Sequence, residues 1–206
     1  MSVATLASPG LWSVPREWPG ERCFVLCTGE SIGPQAAMIK RLQGRVIAVK
    51  HAVALRPDAD VLFLAGEPEI ERPLLPIFHG TYVVMRRGKD SLGDMPHYVK
   101  RVTRTKDHAH LCDLPNHVCG LDSGTSAINL AYLFGATEIV LLGYDMRGGH
   151  FCKHPLQNPP QQHFIRHQKP LAAFADDAKR KGIRIVNASP SSAVTAFEKQ
   201  PLEAFL

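Results

Sequence analysis

The residues best placed to do chemistry stand at the two ends of one stretch, Gly120 to Met146. Asp122, Ser123, Gly124 and Thr125 open it, and Gly143, Tyr144 and Asp145 close it. Asp, Ser and Thr are the side chains that satisfy the free amides of a helix start. Small residues at such a start leave amides accessible to an anion, so the chemistry on offer is phosphate binding. A polar Gly-Tyr-Asp after a buried strand stands where an open α/β sheet holds its ligands. The combination points to a nucleotide-type ligand.

The elements that position these residues follow from spacing. Ala127, Ile128, Leu130, Ala131 and Phe134 recur at helical intervals, and Gly135 stops the helix. Ile139 to Leu142 is an all-apolar run, the pattern of a strand covered on both faces. Arg22 to Cys27, Val46 to Val49 and Val61 to Leu64 read the same way. Tyr82 to Met85 and Val99 to Thr103 are weaker strands, and Ile183 to Val186 is the last. Pro34 opens a helix after the first strand. Gln161 to Lys181 is helical, with Pro170 kinking or splitting it. Alternating strands and helices predict a Rossmann-like, doubly wound, mostly parallel α/β sheet in a single domain. Residues 1–20 carry Pro9, Pro15, Pro19, Trp12 and Trp18 without a period, and read as an irregular arm on the domain formed by residues 21–206.

Composition bounds the partners. The 206 residues are 45% hydrophobic, ample for a core and incompatible with wholesale disorder. A formal charge of +5 favours anionic partners: nucleotides, acidic glycans or nucleic acid. No segment approaches a membrane span of about 20 apolar residues, and no signal-type N-terminus is evident, so a cytoplasmic location is expected. Five cysteines without framework spacing read as reduced thiols. Oligomeric state is not legible.

Other constellations are weaker. The first-strand loop has Gly29 and Gly33 without the three-glycine dinucleotide fingerprint, and Lys50-His51 replace the acidic residue that would hold a ribose. Spacing alone leaves Thr28 to Ser31 open between an ordinary turn and a ligand loop. His108, His110, Cys112, His117 and Cys119 form one cluster, and His150, Cys152 and His154 alternate in another. Zinc could use the alternating trio, but close Cys-x-x-Cys pairs are absent, and no metal site is expected. Arg86-Arg87 and Lys179-Arg180-Lys181 lack interleaved aromatics and read as solvated faces rather than a nucleic-acid platform.

Three segments carry a resemblance over about Cys23 to Phe197. They are Val25-Leu-Cys-Thr-Gly-Glu-Ser-Ile32; Val46-Ile-Ala-Val-Lys-His-Ala52 with Ala59-Asp-Val-Leu-Phe63; and Asp122-Ser-Gly-Thr125 with Leu142-Gly-Tyr-Asp145. The chain resembles the Rossmann-like group that joins bacterial CMP-sialic-acid-dependent sialyltransferases to archaeal-type 6-hydroxymethylpterin pyrophosphokinases, and within it small, often phage-encoded proteins. The resemblance implies a transferase with a nucleotide-activated donor, a small-molecule or glycan acceptor and no obligatory cofactor. Donor contacts would fall to Thr28, Gly29, Ser31, Lys50, Ser123, Gly124, Thr125 and Asp145. Lys50 replaces the group's usual Asn, and Arg147 stands where the sialyltransferases place tyrosines that stabilise the leaving phosphate. A histidine before the last long helix is the group's general base; His163 lies nearest that place, His167 one turn on, and His150 and His154 in the loop over the same mouth.

The alternative within this resemblance is an ATP-dependent pyrophosphokinase. It would require magnesium, held by Asp122 and Asp145 with Glu30 or Glu67. A non-catalytic nucleotide-binding phage protein is the third reading.

Overall fold

The computed structural model describes residues 10–65, 74, 78–86, 98–152 and 160–206. Residues 1–9 of the arm, Glu67, Arg87 and His154 lie outside these.

Nine strands form one sheet: β1 (Arg22–Leu26), β2 (Arg45–Val49), β3 (Val61–Leu64), β4 (Thr81–Arg86), β5 (Lys100–Arg104), β6 (His117–Val118), β7 (Glu138–Leu142), β8 (Arg184–Asn187) and β9 (Glu198–Lys199). Their order is β6-β5-β4-β3-β2-β1-β7-β8-β9, and every pairing is parallel. The doubly wound, parallel sheet expected from the alternation of strands and helices is the one observed among the described strands. The chain builds outward from β1 to one edge, then crosses back and continues from β7 to the other. The reversal of order falls between β1 and β7, where such sheets bind ligands.

The helices are α1 (Ala36–Ile39), α2 (Ser123–Phe134), α3 (Gln161–Gln168) and α4 (Leu171–Arg180). Pro170 does split the last helical stretch, because a ring without an N–H cannot continue the ladder. Pro34 lies inside a 3-10 turn, Glu30–Gln35, rather than opening an α-helix. Further 3-10 turns cover Lys50–Leu55 and Leu202–Phe205.

Alternation along the strands divides the core. Cys23, Val25, Ile139 and Leu141 face a layer with Ala127, Ile128, Leu130, Phe134, Leu171 and Phe174 from α2 and α4. Phe24, Leu26, Val140 and Leu142 face the opposite layer, with Ile32, Ile39, Leu202 and Phe205. Both faces are covered, which is why β1 and β7 read as continuous apolar runs.

Helix α2 is buried almost all round. Its outer side is covered by the arm: Trp18 stacks on Phe134 at 4.0 Å, and the Trp18 amide donates to the Phe134 carbonyl at 2.7 Å. Gly135 ends the helix at φ 106°, a left-handed conformation natural to glycine.

The N-terminal edge of the sheet is laced with charge. Arg22, Glu138 and Arg184 are aligned on β1, β7 and β8. Glu138 pairs with Arg22 and, at 2.6 Å, with Arg184, which reaches Glu198 at 2.9 Å. Arg45 bridges Glu21 at 2.8 Å and Asp60 at 3.1 Å. Hydrogen bonds from Arg45 and Arg184 hold the Glu21 and Glu198 carboxyls below the usual range. Carboxyls lowered in this way stabilise the fold above their unfolded pKa, and the contribution is lost as pH falls. The melting temperature should accordingly drop as pH falls below the ordinary value of 4.5. Glu138→Gln should cost on the order of 1 kcal/mol at low ionic strength, shrinking toward zero in molar salt. Thermal unfolding at two salt concentrations measures it, and a salt-independent loss would contradict the electrostatic account.

Candidate functional site

The exits of β1 and β7 meet at the point where strand order reverses. Asp145 follows β7 and is only 4% exposed. Its Oδ2 accepts from the Ser31 amide at 2.9 Å and its Oδ1 from the Ser31 hydroxyl at 2.5 Å. The Gly29 amide donates to the Gly143 carbonyl at 2.9 Å. A Cβ on Gly29 would lie 2.5 Å from Asp145 Oδ2 and 2.6 Å from that carbonyl, so the first loop needs glycine there.

Helix α2 starts beside this clasp. Asp122 caps it, accepting from the Thr125 amide at 2.9 Å and the Thr125 hydroxyl at 2.5 Å. Tyr144 OH lies 2.7 Å from Thr125 Oγ1 and 3.3 Å from Asp122 Oδ2. Burial, with the Asp122 charge adding to it, pushes the Tyr144 phenol well up and keeps it a donor. The Cys27 thiol is raised in the same way, by burial first and then by Asp122 and Asp145. The Ser123 hydroxyl donates to the Ala65 carbonyl at 3.1 Å, fastening the helix start to the end of β3. The amides of Ser123 and Gly124 have no acceptor within the helix, as its geometry requires. Gly124 is packed: a Cβ would come within 2.5 Å of the Tyr144 ring and 3.0 Å of Cys27 Sγ.

Over this floor lies a basic rim. Lys50 directly follows β2 at φ 52°, and Met146 follows Asp145 at φ 50°. Left-handed backbone costs a branched or long L-residue on the order of 1 kcal/mol, and such strain concentrates at functional sites. After Met146 the chain folds back. His150 bridges to Gly29, the Phe151 amide donates to the Thr28 carbonyl at 3.0 Å, and His150 Nδ1 lies 2.8 Å from Thr28 Oγ1. Burial lowers the His150 pKa most; its hydrogen bond to the Thr28 backbone opposes this, while Lys50 and His51 add to it. His51 is lowered by burial and then by Lys50.

The expected site residues thus separate into groups. Thr28, Gly29, Ser31, Ser123, Gly124, Thr125 and Asp145 converge at the switch point, with Lys50 and His150 on its rim. Within this set Ser31, Thr125 and Asp145 are buried and direct their side chains at one another's elements. Arg147 is exposed on the returning loop, and His163 lies on the exposed face of α3 with its ring 4.0 Å from that of His167. His167 is half-buried and lowered by burial, with Asp122 opposing. No group of His, Cys, Asp and Glu among the described residues is arranged to hold a metal ion.

One set of supporting residues is not legible in the sequence. Ser189 Oγ accepts from the Tyr144 amide at 2.9 Å, and Ser192 Oγ donates to the Tyr144 carbonyl at 2.7 Å. Asn187 Nδ2 reaches the same carbonyl at 3.2 Å. These residues lie at the end of β8 and in the loop that leaves it, where only the cluster of small hydroxyl side chains in Asn187 to Ser192 hints at such a role. A hollow of about 590 Å³ lined by Phe78, Tyr82, Tyr98 and Lys100 lies at the opposite, N-terminal ends of β4 and β5, outside this site.

A solved structure similar to this chain is that of the sialyltransferase CstII from Campylobacter jejuni, in complex with a substrate analogue, cytidine-5'-monophosphate. It matches with a TM-score of 0.50 and 12% identity, over 88% of this chain and 85% of that one. At that identity the likeness is one of fold: a Rossmann-like α/β architecture shared with a glycosyltransferase. No protein-family model and no curated protein matches the chain. No described helix is long and apolar enough to cross a membrane.

Asp145→Ala would leave the Ser31 amide and hydroxyl buried without acceptors. It should cost about 2–4 kcal/mol, read by denaturant unfolding. A loss below half a kcal/mol would show that the clasp contributes nothing.

Proposed function

We propose that the chain is a transferase acting on a nucleotide-activated donor, most simply a sialyltransferase-like glycosyltransferase. The observation that carries this reading is the convergence of the β1 loop, the start of α2 and the Gly143-Tyr144-Asp145 turn at the switch point. The fold shared with a sialyltransferase that was solved with CMP supports it. In this reading the donor phosphate meets the Ser123 and Gly124 amides, whose positive end of the helix dipole favours an anion. Asp122 already caps the helix, so the phosphate approaches from the side of Lys50. Thr28, Gly29, Ser31, Thr125 and Asp145 form the loop and floor that hold the donor.

The step is displacement at the sugar's anomeric carbon. The bond to the phosphate oxygen breaks with its electron pair leaving on CMP. The acceptor oxygen forms the new bond, and its proton passes to a histidine. Arg147 on the returning loop neutralises the departing phosphate. His150 fits the base: with Nδ1–H donating to Thr28, Nε2 carries the lone pair, and the lowered pKa keeps it neutral at pH 7. His163 is the competing choice through position. The pyrophosphokinase reading gains less support, because Asp122 and Asp145 direct their oxygens at Thr125 and Ser31 rather than at a common point.

CMP at a hundredfold excess over its Kd should raise stability by about 2.7 kcal/mol, with EDTA making no difference. A thermal-shift series over nucleotides tests this, and no shift with any of them would overturn the reading. For the base, CMP release from CMP-sialic acid should slow as pH falls through the lowered His150 pKa, below the ordinary 6.5. His150→Gln should cut the rate by about a hundredfold or more and remove that acid limb. If His163→Ala has that effect and His150→Gln does not, the base is His163.

A further inference from the structure

The His/Cys-rich stretch from His108 to Cys119 takes no part in the donor site, and it holds two thiols. Cys112 is half-buried and Cys119 buried, and both are free. One side chain ties them together. Asn129 on α2, itself fully buried, accepts on a single oxygen, Oδ1, from the Cys112 amide at 2.8 Å and from the Cys119 amide at 3.1 Å. Its Nδ2 donates back to the Cys112 carbonyl at 3.1 Å. Two N–H donors sharing one amide oxygen stand about 5 Å apart. The intervening chain turns back to allow this, with the His117 amide donating to the Leu114 carbonyl at 3.0 Å.

A separation of that order is what a disulfide spans, about 4.4–6.8 Å between Cα atoms. The sulfurs are drawn to the same place: the Cys112 amide also bonds to the Cys119 sulfur, and Cys112 Sγ is only three covalent bonds from that amide. Both flanks are fastened. Before the pair, the Leu111 amide donates to Asp177 Oδ2 at 2.8 Å, and Lys181 Nζ reaches Asp113 Oδ1 at 2.6 Å. After it, Gly120 at φ 113° leads directly to the Asp122 cap, and a Cβ there would lie 2.7 Å from Thr125 Cβ. Packed backbone therefore joins Cys119 to the first turn of α2.

We propose that Cys112 and Cys119 are a thiol–disulfide pair, a modification site for small disulfides of the glutathione class, whose closure staples the approach to α2. The pair does not depend on the transferase reading. Half-exposed Cys112 reacts first: its thiolate attacks one sulfur of glutathione disulfide, that S–S bond breaks, and one glutathione leaves and takes up the proton Cys112 gave up. Cys119 then attacks the Cys112 sulfur of the mixed disulfide. The second glutathione leaves with the Cys119 proton, so two electrons pass from the pair to the oxidant. Burial raises both thiols, Cys119 to about 12. Both are therefore protonated at pH 7, where exchange is slow.

The folded full chain is incubated with glutathione and its disulfide at graded ratios, quenched with acid, alkylated in denaturant and mapped by peptide mass. Cys112 and Cys119 should lose alkylation together, with two hydrogens lost and no glutathione retained, while buried Cys23 and Cys27 stay reduced. Cys119→Ala should stop at the mixed disulfide, leaving glutathione on Cys112. In the closed form the Thr125 and Ser126 amides, both bonded to Asp122, should exchange with deuterium at least tenfold more slowly. The melting temperature should rise by about 5 °C or more. Cys112→Ser, at a half-exposed position, should show neither effect, and it carries the comparison if Cys119→Ala fails to fold. Glutathione retained on wild-type Cys112 without closure, or no reaction of either thiol below the unfolding transition, overturns the proposal. So does closure that leaves exchange at the start of α2 unchanged.

Discussion

The buried carboxylate of Asp145 holds the two halves of this protein in register. Its oxygens meet the amide and hydroxyl of Ser31, joining the exits of the two strands between which sheet order reverses. A polar group so enclosed is tolerable only when hydrogen-bonded, and Ser31 supplies both donors. The close approach also dictates Gly29, where any side chain would strike that carboxylate. The contact lies at the start of the 3-10 turn Glu30–Gln35, and the Gly29 amide beside it donates to the Gly143 carbonyl at 2.9 Å.

Around it the polar groups are layered. The floor is acidic, with Asp145 and Asp122, but each carboxylate is satisfied by neighbouring hydroxyls and amides. The backbone around it is partly strained: Lys50 and Met146 adopt left-handed conformations directly after β2 and after Asp145. Ser189, Ser192 and Asn187 brace the Tyr144 backbone from behind. With both carboxylates of the floor hydrogen-bonded, no buried charge is left unpaired beneath the mouth.

Helix α2 shows how the arm and the site depend on one another. Its sequence is apolar on more than one side, which a surface helix could not tolerate. The Trp18 stack on Phe134 and the arm's backbone bonds cover its outer side. The same helix presents Ser123 and Gly124 at its other end, so the packing that buries it also fixes the direction in which those amides point.

Local pattern is enough to mark the strands that are buried on both faces, because continuous apolar runs such as Ile139–Leu142 admit few other environments. It determined the capped start of α2 and its glycine stop, because both depend on local residue chemistry, and it placed the break at Pro170. The two-residue strands β6 and β9 escaped it, since two residues have no period. So did the pairing of Ser31 with Asp145, which are 114 positions apart, and the support from Asn187 to Ser192. Long-range packing alone turns Ser31 and Thr125 inward to carboxylates and brings His150, rather than His163, to the first loop. Those outcomes depend on which strands become neighbours, and long-range neighbours are chosen by packing of the whole sheet rather than by any local pattern.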